Sequence, residues 1–354
     1  MMHSLGHEII HYGAENSEVS DWAEDVPIIS AEEQRKYFGE FDLKKLYGNN
    51  CDWTGVAPYW KDMNARGADE IKKRQQKGDF VCNPMGRIYK PLTDVMSNDV
   101  FCVENGIGYN GVYAPYRIYE SYAHMHKCMG AEFSYDPDGR NYHVVIPNVI
   151  DRDEFHLKEI KEDYFLYLGR LVFRKGIKIA VEATRRAGVK LVLAGQGVTK
   201  VVGNAIHCED GNVYEGDHLQ YVGPAIGEDR ERLYQNARAV FLPTIYLEPF
   251  GTVAIEAQAC GTPVITSDFG VFSETVEHGR TGWRCRTLDH FTWACKNVQH
   301  MDTRYIHTRA FANWDMMRVR HMYQEFFSMV ADLHGNGWFT PHDDRTQLDW
   351  LRKY

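Results

Sequence analysis

Glu248 and Glu256 stand eight residues apart in the run Glu-Pro-Phe-Gly-Thr-Val-Ala-Ile-Glu. Pro249, Phe250 and Gly251 belong to a polar loop, and Thr252 to Cys260 reads as a helix. A helix beginning at Thr252 leaves the backbone N–H groups of its first turn without partners, and its dipole adds partial positive charge there. Such an end suits a phosphate. Glu248 lies just before that spot, and Glu256 about one turn into the helix. Farther up the chain, Arg170 and Lys175 fall between a strand and a helix.

The neighbouring segments set where these groups can stand. Ala239 to Leu242 is a short apolar run of buried-strand length, and Pro263 to Thr266 is another. Gly261, with Pro263 beyond it, stops the helix between them. The result is a β-loop-α-β unit whose parallel strands put the loop and the helix start at the carboxyl edge of a sheet. Asp163 to Gly169 reads as a strand, followed by Arg170, Lys175 and Gly176 and a helix to about Ala187. Lys190 to Ala194 is a strand ending in Gly195-Gln-Gly197. Lys200 stands where a dinucleotide fingerprint needs its third glycine, and no helix opens there, so Gly195 reads as a tight backbone approach at a cleft. Leu219 to Val222 is a further strand, and Glu228 to Arg238 an amphipathic helix.

The Glu-x7-Glu spacing, followed by Gly-Thr-Pro-Val-Ile, resembles the donor-site signature of glycosyltransferase family 4. That family comprises retaining enzymes of the GT-B fold, α/β proteins with two Rossmann-like domains facing across a cleft. The resemblance implies that Glu248 contacts the donor sugar and Glu256 holds the ribose of the nucleotide. It aims the amides of Phe250, Gly251 and Thr252 at the diphosphate. Gly169-Arg170 and Lys175-Gly176 look like the family's Gly-Arg and Lys-Gly pairs, which grip that diphosphate. A leaving group with two to three negative charges needs fixed cations as its bond breaks. Arg174 is expected to face solvent. Ile146-Pro-Asn-Val-Ile-Asp151, with Phe155 behind it, resembles the phrase that closes the family's first domain, with Val149 where glycine is usual. These matches imply an acceptor-side domain over 1–149, a donor domain over 150–330, and a tail over 331–354. Leu348, Trp350 and Leu351 would let that tail dock across both domains.

The first domain resembles the family more loosely. Leu5-Gly6-His7-Glu8-Ile9 is similar to the phrase that closes the first helix and opens the second strand. This implies that the usual first strand and glycine loop are absent. The strand Glu8 to Tyr12 would then show an apolar edge, and Met1 would be an internal residue of a longer frame unless another segment fills the gap. His3, His7 and His11 have i, i+4 spacing, but Gly6 and the Ile9-Ile10 pair argue against a helix, so no metal face is expected. Ser30 to Glu33 reads as a capping box, Ala57 to Gln76 as a helix, and Asp79 to Asn83 and Asp99 to Glu104 as strands. The family often places a histidine at the end of that last strand, near the donor sugar. Glu104 occupies the position here. It and His124, which forms an H-x-H pair with His126, are the candidates for acceptor-side chemistry.

Composition narrows the remaining classes. The 354 residues carry a net charge of −9 with 44% hydrophobic content. Most of the imbalance lies in the first 149 residues, where 15 basic side chains meet 22 acidic ones. That sign opposes a stable nucleic-acid complex. No apolar run approaches the roughly eighteen residues of a membrane span. Eight scattered cysteines without a C-x-x-C pair read as reduced thiols of a cytoplasmic protein. The reaction that the family resemblance implies moves a sugar from a nucleotide diphosphate sugar to a hydroxyl of a glycan, lipid, protein or modified base. That donor is a co-substrate, with no cofactor and no metal expected, and the leaving phosphate takes the acceptor proton. Two rivals stand beside it: a nucleotide-sugar epimerase, and a non-catalytic binding relic. The intact charge pattern of Arg170, Lys175, Glu248 and Glu256 speaks against the relic.

Overall fold

The computed structural model describes residues 1–40, 55–84, 86–109, 111–134 and 143–335, the last four of them as helical backbone only. The chain divides into two units: 1–120, 125–146 and 317–354 form the first, and 121–124 with 147–316 the second.

In the first unit, a 3-10 turn at Met2–Leu5 ends on Gly6 and leads to β1 (Ile10–Ala14). β1 pairs in parallel with β2 (Glu24–Ile29). The three spaced histidines go to three different neighbours: His3 stacks on Trp22, His7 bonds Gln324, and His11 pairs with Asp25. The capping box forms as expected, Ser30 Oγ accepting from Glu33 N and Glu33 accepting from Ser30 N. It opens α1 (Ala31–Phe38). Helix α2 (Pro58–Arg74) buries Trp60, Met63, Asn64, Gly67, Ala68 and Ile71, a 3–4 spacing that makes one face. Then come β3 (Phe80–Asn83), α3 (Lys90–Asp94), β4 (Phe101–Glu104), β5 (Tyr116–Tyr119), α4 (Tyr122–Phe133) and β6 (Val144–Val145). Strands β3 to β6 make a four-stranded parallel sheet in sequence order.

The second unit is doubly wound. Its six-stranded parallel sheet uses β7 (Phe165–Leu168), β8 (Leu191–Ala194), β12 (Leu219–Gly223), β13 (Val240–Leu242), β14 (Val264–Ser267) and β15 (Gly282–Cys285). A small antiparallel sheet of β9 (Val198–Val202), β10 (Ala205–Cys208) and β11 (Val213–Glu215) interrupts the run, an insertion the sequence reading missed. The helices are α5 (Ile177–Ala187), α6 (Gly227–Asn236), α7 (Thr252–Ala259), α8 (Phe272–Thr275), α9 (Leu288–Cys295) and α10 (Thr303–Trp314). Both faces of the central strands are covered, so β7, β8 and β13 are apolar throughout and successive residues feed opposite cores. Phe165, Tyr167, Leu191, Leu193, Phe241 and Ile265 pack with α5 and α9. Leu166, Val192, Val240, Leu242 and Val264 pack with α6, α7 and α10.

Strand order is β12-β8-β7-β13-β14-β15. In order of their appearance in the sheet this is 3-2-1-4-5-6, which places the reversal of winding between β7 and β13. The chain enters and leaves this unit side by side: Ile150 N donates to Trp314 O at 2.9 Å, and Met316 N to Ile150 O at 3.0 Å.

One boundary differs from expectation. The last helix, Met316–Gly335, was placed with the donor domain through residue 330, but from Met317 on it belongs to the first unit. Phe327 packs against Phe80 with ring centroids 4.6 Å apart and planes tilted by 44°, and Arg320 bonds Ser4. A helix pattern shows which residues form an apolar face but not which sheet that face meets. Leu348, Trp350 and Leu351 lie outside the described residues. Among those described, no helix is long and apolar enough to cross a membrane.

Candidate functional site

Ligands of doubly wound sheets sit where winding reverses, beyond the carboxyl ends of the strands. Here that is the space between the β7–α5 loop and the β13–α7 loop. The first loop is fixed from three sides. Tyr167 OH donates to Arg170 O at 2.9 Å, Asp210 from the inserted sheet accepts from Phe173 N at 2.8 Å, and Ile245 N donates to Arg174 O at 3.0 Å. A 3-10 turn, Phe173–Lys175, then meets Gly176 at φ 76°. A Cβ on Gly176 would stand 1.9 Å from the carbonyl oxygen of Pro243, so only glycine lets the two loops touch.

That contact brings Lys175 and Glu248 together. The ammonium lies 2.9 Å from each carboxylate oxygen, with both side chains largely buried. The Tyr246 ring adds a cation–π contact, 5.1 Å from Lys175 Nζ and 5.2 Å from the guanidinium of Arg174. Arg174 is otherwise exposed, and Arg170 is half-buried at the start of the same loop.

Beside this pair, α7 begins at Gly251 (φ 74°) with no side-chain cap. Ala254 N bonds back to Gly251 O at 2.8 Å, while the amides of Thr252 and Val253 ahead of it have no carbonyl within the helix to meet. Thr252 Oγ1 accepts from Asn148 Nδ2 at 2.8 Å. The Phe250 side chain is core, leaving only its backbone to face a ligand. Ser121 Oγ donates to Pro249 O at 2.6 Å and accepts from His124 N, while the Glu274 carboxylate accepts from the amides of Tyr122 and Ala123. Together they cap the first turn of α4, where His124 is buried and His126 exposed.

Glu256 is buried on the side of α7 that faces α6. Tyr234 OH donates to its Oε2 at 2.7 Å, and Arg230 Nη1 lies 3.2 Å from Oε1. Burial raises its pKa above the ordinary carboxylate value, with Arg230 and the Tyr234 hydroxyl pulling it back. Gly195 makes its close approach to the chain itself: at φ 141°, a Cβ there would meet Gly169 O at 2.0 Å, and Tyr221 OH donates to its carbonyl.

Glu104 lies in the first unit, at the carboxyl end of β4, and is fully buried. Its Oε2 accepts from Tyr113 N at 3.1 Å and Ala114 N at 3.4 Å, while Oε1 has no partner among the described residues. Burial pushes its pKa up to about 7, against the pull of those amides and Arg117. The two acceptor-side candidates thus fall in different units, His124 in the second and Glu104 in the first.

Sequence reading missed Tyr234, Arg230, Asp210, Tyr246 and Ser121, and gave Asn148 and Glu274, both in segments it singled out, no contact of their own. Arg230 and Tyr234 carried a signal, an i, i+4 pair on one helix, but nothing local says that the pair meets Glu256.

Residues 150–294 match the family model described as glycosyl transferases group 1. An uncharacterized glycosyltransferase of Methanocaldococcus jannaschii is 35% identical over 125 residues, 34% of this chain and 31% of that protein. The chain spans about a third of the length of the curated relatives it matches. Among solved structures, the sucrose-phosphate synthase of Thermosynechococcus elongatus aligns with a TM-score of 0.65 at 17% identity, over 93% of this chain and 90% of that one. HepE from Anabaena, solved with UDP-glucose, aligns at 0.62 and 16% identity, over 91% of this chain and 100% of that one. The chain has the GT-B fold, and within it residues 150–294 match the group 1 glycosyl transferases.

Proposed function

We propose that this chain is a glycosyltransferase of the family 4 type, moving a sugar from a nucleotide diphosphate sugar to a hydroxyl acceptor with retention at the anomeric carbon. The observation that carries the reading is the Lys175–Glu248 pair beside the uncapped start of α7, at the point where the sheet's winding reverses. A diphosphate at that helix end would draw Lys175 toward itself, with Arg170 as the second cation. Glu248 would then be released to hydrogen-bond the sugar. Glu256, held by Tyr234 and Arg230, has the carboxylate to take the ribose hydroxyls. The UDP-glucose bound by HepE, a protein of like fold, supports a nucleotide-sugar donor. Glu104, with a pKa near neutrality, and the buried His124 are the acceptor-side candidates. In this account the donor is a co-substrate and no further cofactor takes part. The acceptor hydroxyl belongs to a glycan, lipid, protein or modified base. The seven described cysteines are free thiols, which supports a reducing compartment such as the cytoplasm.

Melting curves with UDP, GDP and ADP and their sugar conjugates test the donor, because a ligand bound only by the folded state raises the melting temperature. Product formation in the presence of acceptor panels, with the anomeric configuration read by NMR, tests the transfer. Epimerised sugar released without any acceptor would instead identify an isomerase. A melting shift without turnover on any acceptor would identify a binding relic.

A further inference from the structure

Two cavities adjoin along the carboxyl edge of the second unit's sheet. One, of about 360 Å³, begins at Pro243, Thr244 and Ile245, in the loop that leads to Glu248. The other, of about 430 Å³, lies beyond the end of β15. They share Asp268, Cys285 and Arg286, and neither is lined by Lys175, Glu248 or Glu256.

The outer cavity has an aromatic wall. Trp283 on β15 and Trp293 on α9 meet edge to face, with ring centroids 4.8 Å apart and planes at 77°. Trp293 is 51% exposed, so part of a large apolar ring borders the opening. Trp283 is braced by His278, whose ring packs edge-on against it at 5.2 Å.

Polar groups surround that wall. His278 Nδ1 accepts from Arg284 N at 3.1 Å, and His290 Nδ1 accepts from Arg286 N at 3.5 Å. A ring whose Nδ1 accepts is left with Nε2 as its donor nitrogen. Asp268 accepts from Arg286 Nε at 2.6 Å. Arg284 Nε stands 3.5 Å from the other Asp268 oxygen and makes no hydrogen bond among the described residues. The cavity therefore combines an indole wall, several N–H donors and one carboxylate acceptor.

We propose that this outer cavity is a second carbohydrate site, holding one pyranose ring of a glycan against Trp293. The polarised C–H groups of a pyranose suit the negative face of an indole, and its hydroxyls both donate and accept, as this mixed rim requires. A nucleobase would find one indole face to stack on at most, because the two indoles stand perpendicular and cannot sandwich it. A bare phosphate would gain nothing from the aromatic wall, and the Asp268 carboxylate already offsets one of the two arginines. β15 lies two strands from β13, about 10 Å along the sheet. A glycan of a few units lying in both cavities would thus run toward the Glu248 loop. Glycan binding at Trp293 does not depend on the transfer reading; only its use as acceptor or product anchor rests on that.

The test is calorimetry on the full chain with maltohexaose, cellohexaose, chitohexaose and a galacturonic acid hexamer as probes. At least one is expected to bind with a Kd of about 1 mM or tighter. Trp293→Ala should weaken that probe about tenfold or more at an unchanged melting temperature. Arg286→Gln, on an exposed side chain, should also weaken it and gives a second reading if the tryptophan variant misfolds. Lys175→Ala should leave glycan binding as it was, which separates this site from the proposed donor site. The neutral probes and the acidic one tell whether the arginines select a charged sugar. Failure of all four probes to bind, wild-type affinity in both cavity variants, or displacement of the glycan by UMP would each overturn the proposal.

Discussion

Lys175 Nζ stands 2.9 Å from both carboxylate oxygens of Glu248, across 73 residues of sequence. The family resemblance implied separate ligand roles for the two, a cation for the diphosphate and a carboxylate for the sugar. The fold holds them as one pair, so each neutralises the other.

Removing Lys175 therefore has two consequences. Lys175→Ala should lower turnover about 10²- to 10³-fold, the usual effect of losing one fixed donor to developing charge. It should also cost about 1 kcal/mol of stability, because the largely buried Glu248 loses its cation. Adding Glu248→Gln should recover that stability and none of the turnover. Urea titrations and initial rates on the wild type and the two variants check this; near-normal turnover in Lys175→Ala would remove the lysine from the site.

Two glycines with similar φ should respond very differently to alanine. Gly176 (φ 76°) has Pro243 O where a Cβ would go, whereas Gly188 (φ 69°), at the end of α5, has open space. Gly188→Ala should cost about 1 kcal/mol, the ordinary price of a left-handed alanine. Gly176→Ala should cost more than about 3 kcal/mol, because the two loops must part. Equal melting shifts for the two would show that the loop contact is softer than the geometry indicates.

Tyr234→Phe should weaken nucleotide binding without touching the nucleotide. The lost hydroxyl leaves Glu256 Oε2 buried without its donor, so the carboxyl pKa rises further and the group holds its proton more readily. Glu256→Gln should weaken nucleotide affinity directly, by losing a charge-assisted bond to ribose. Calorimetry with the bare nucleotide diphosphate reads both. Wild-type affinity in the two variants would take Glu256 out of the nucleotide site.

Glu104 should leave a signature in the pH dependence of stability. Its folded pKa of about 7 lies above the ordinary 4.5, so between those values the folded chain keeps a proton that the unfolded chain has lost. The contribution to stability is full below about pH 4.5, falls as pH rises, and levels off above about 7. The total change is roughly 3 kcal/mol. Glu104→Gln removes this slope, so the wild-type minus variant difference in unfolding free energy should fall between pH 5 and pH 8. A flat difference would mean that Glu104 is better solvated than its burial implies.

Much of the second unit was legible in the sequence because its signals are local. Buried strands such as Leu191–Ala194 and Val240–Leu242 are continuous apolar runs, and α7 stops where Gly261 permits a left-handed turn. The Ser30 capping box and the α2 stripe likewise depend on residues three or four apart. Glu248, Glu256, Arg170 and Lys175 were singled out by their resemblance to family motifs, each contained within one loop or helix. What lay beyond that reach were the contacts between loops: Lys175 with Glu248, Tyr234 with Glu256, and Asp210 of an inserted sheet with the Phe173 amide. The first depends on β13 lying next to β7, and all three join segments that only the packing of the whole unit brings together. The last helix joined the first unit for the same reason: its apolar face was readable, but its partner, Phe80, lies some 240 residues earlier. Local conformation follows from nearby side chains, whereas a long-range neighbour is chosen by the free energy of the entire core.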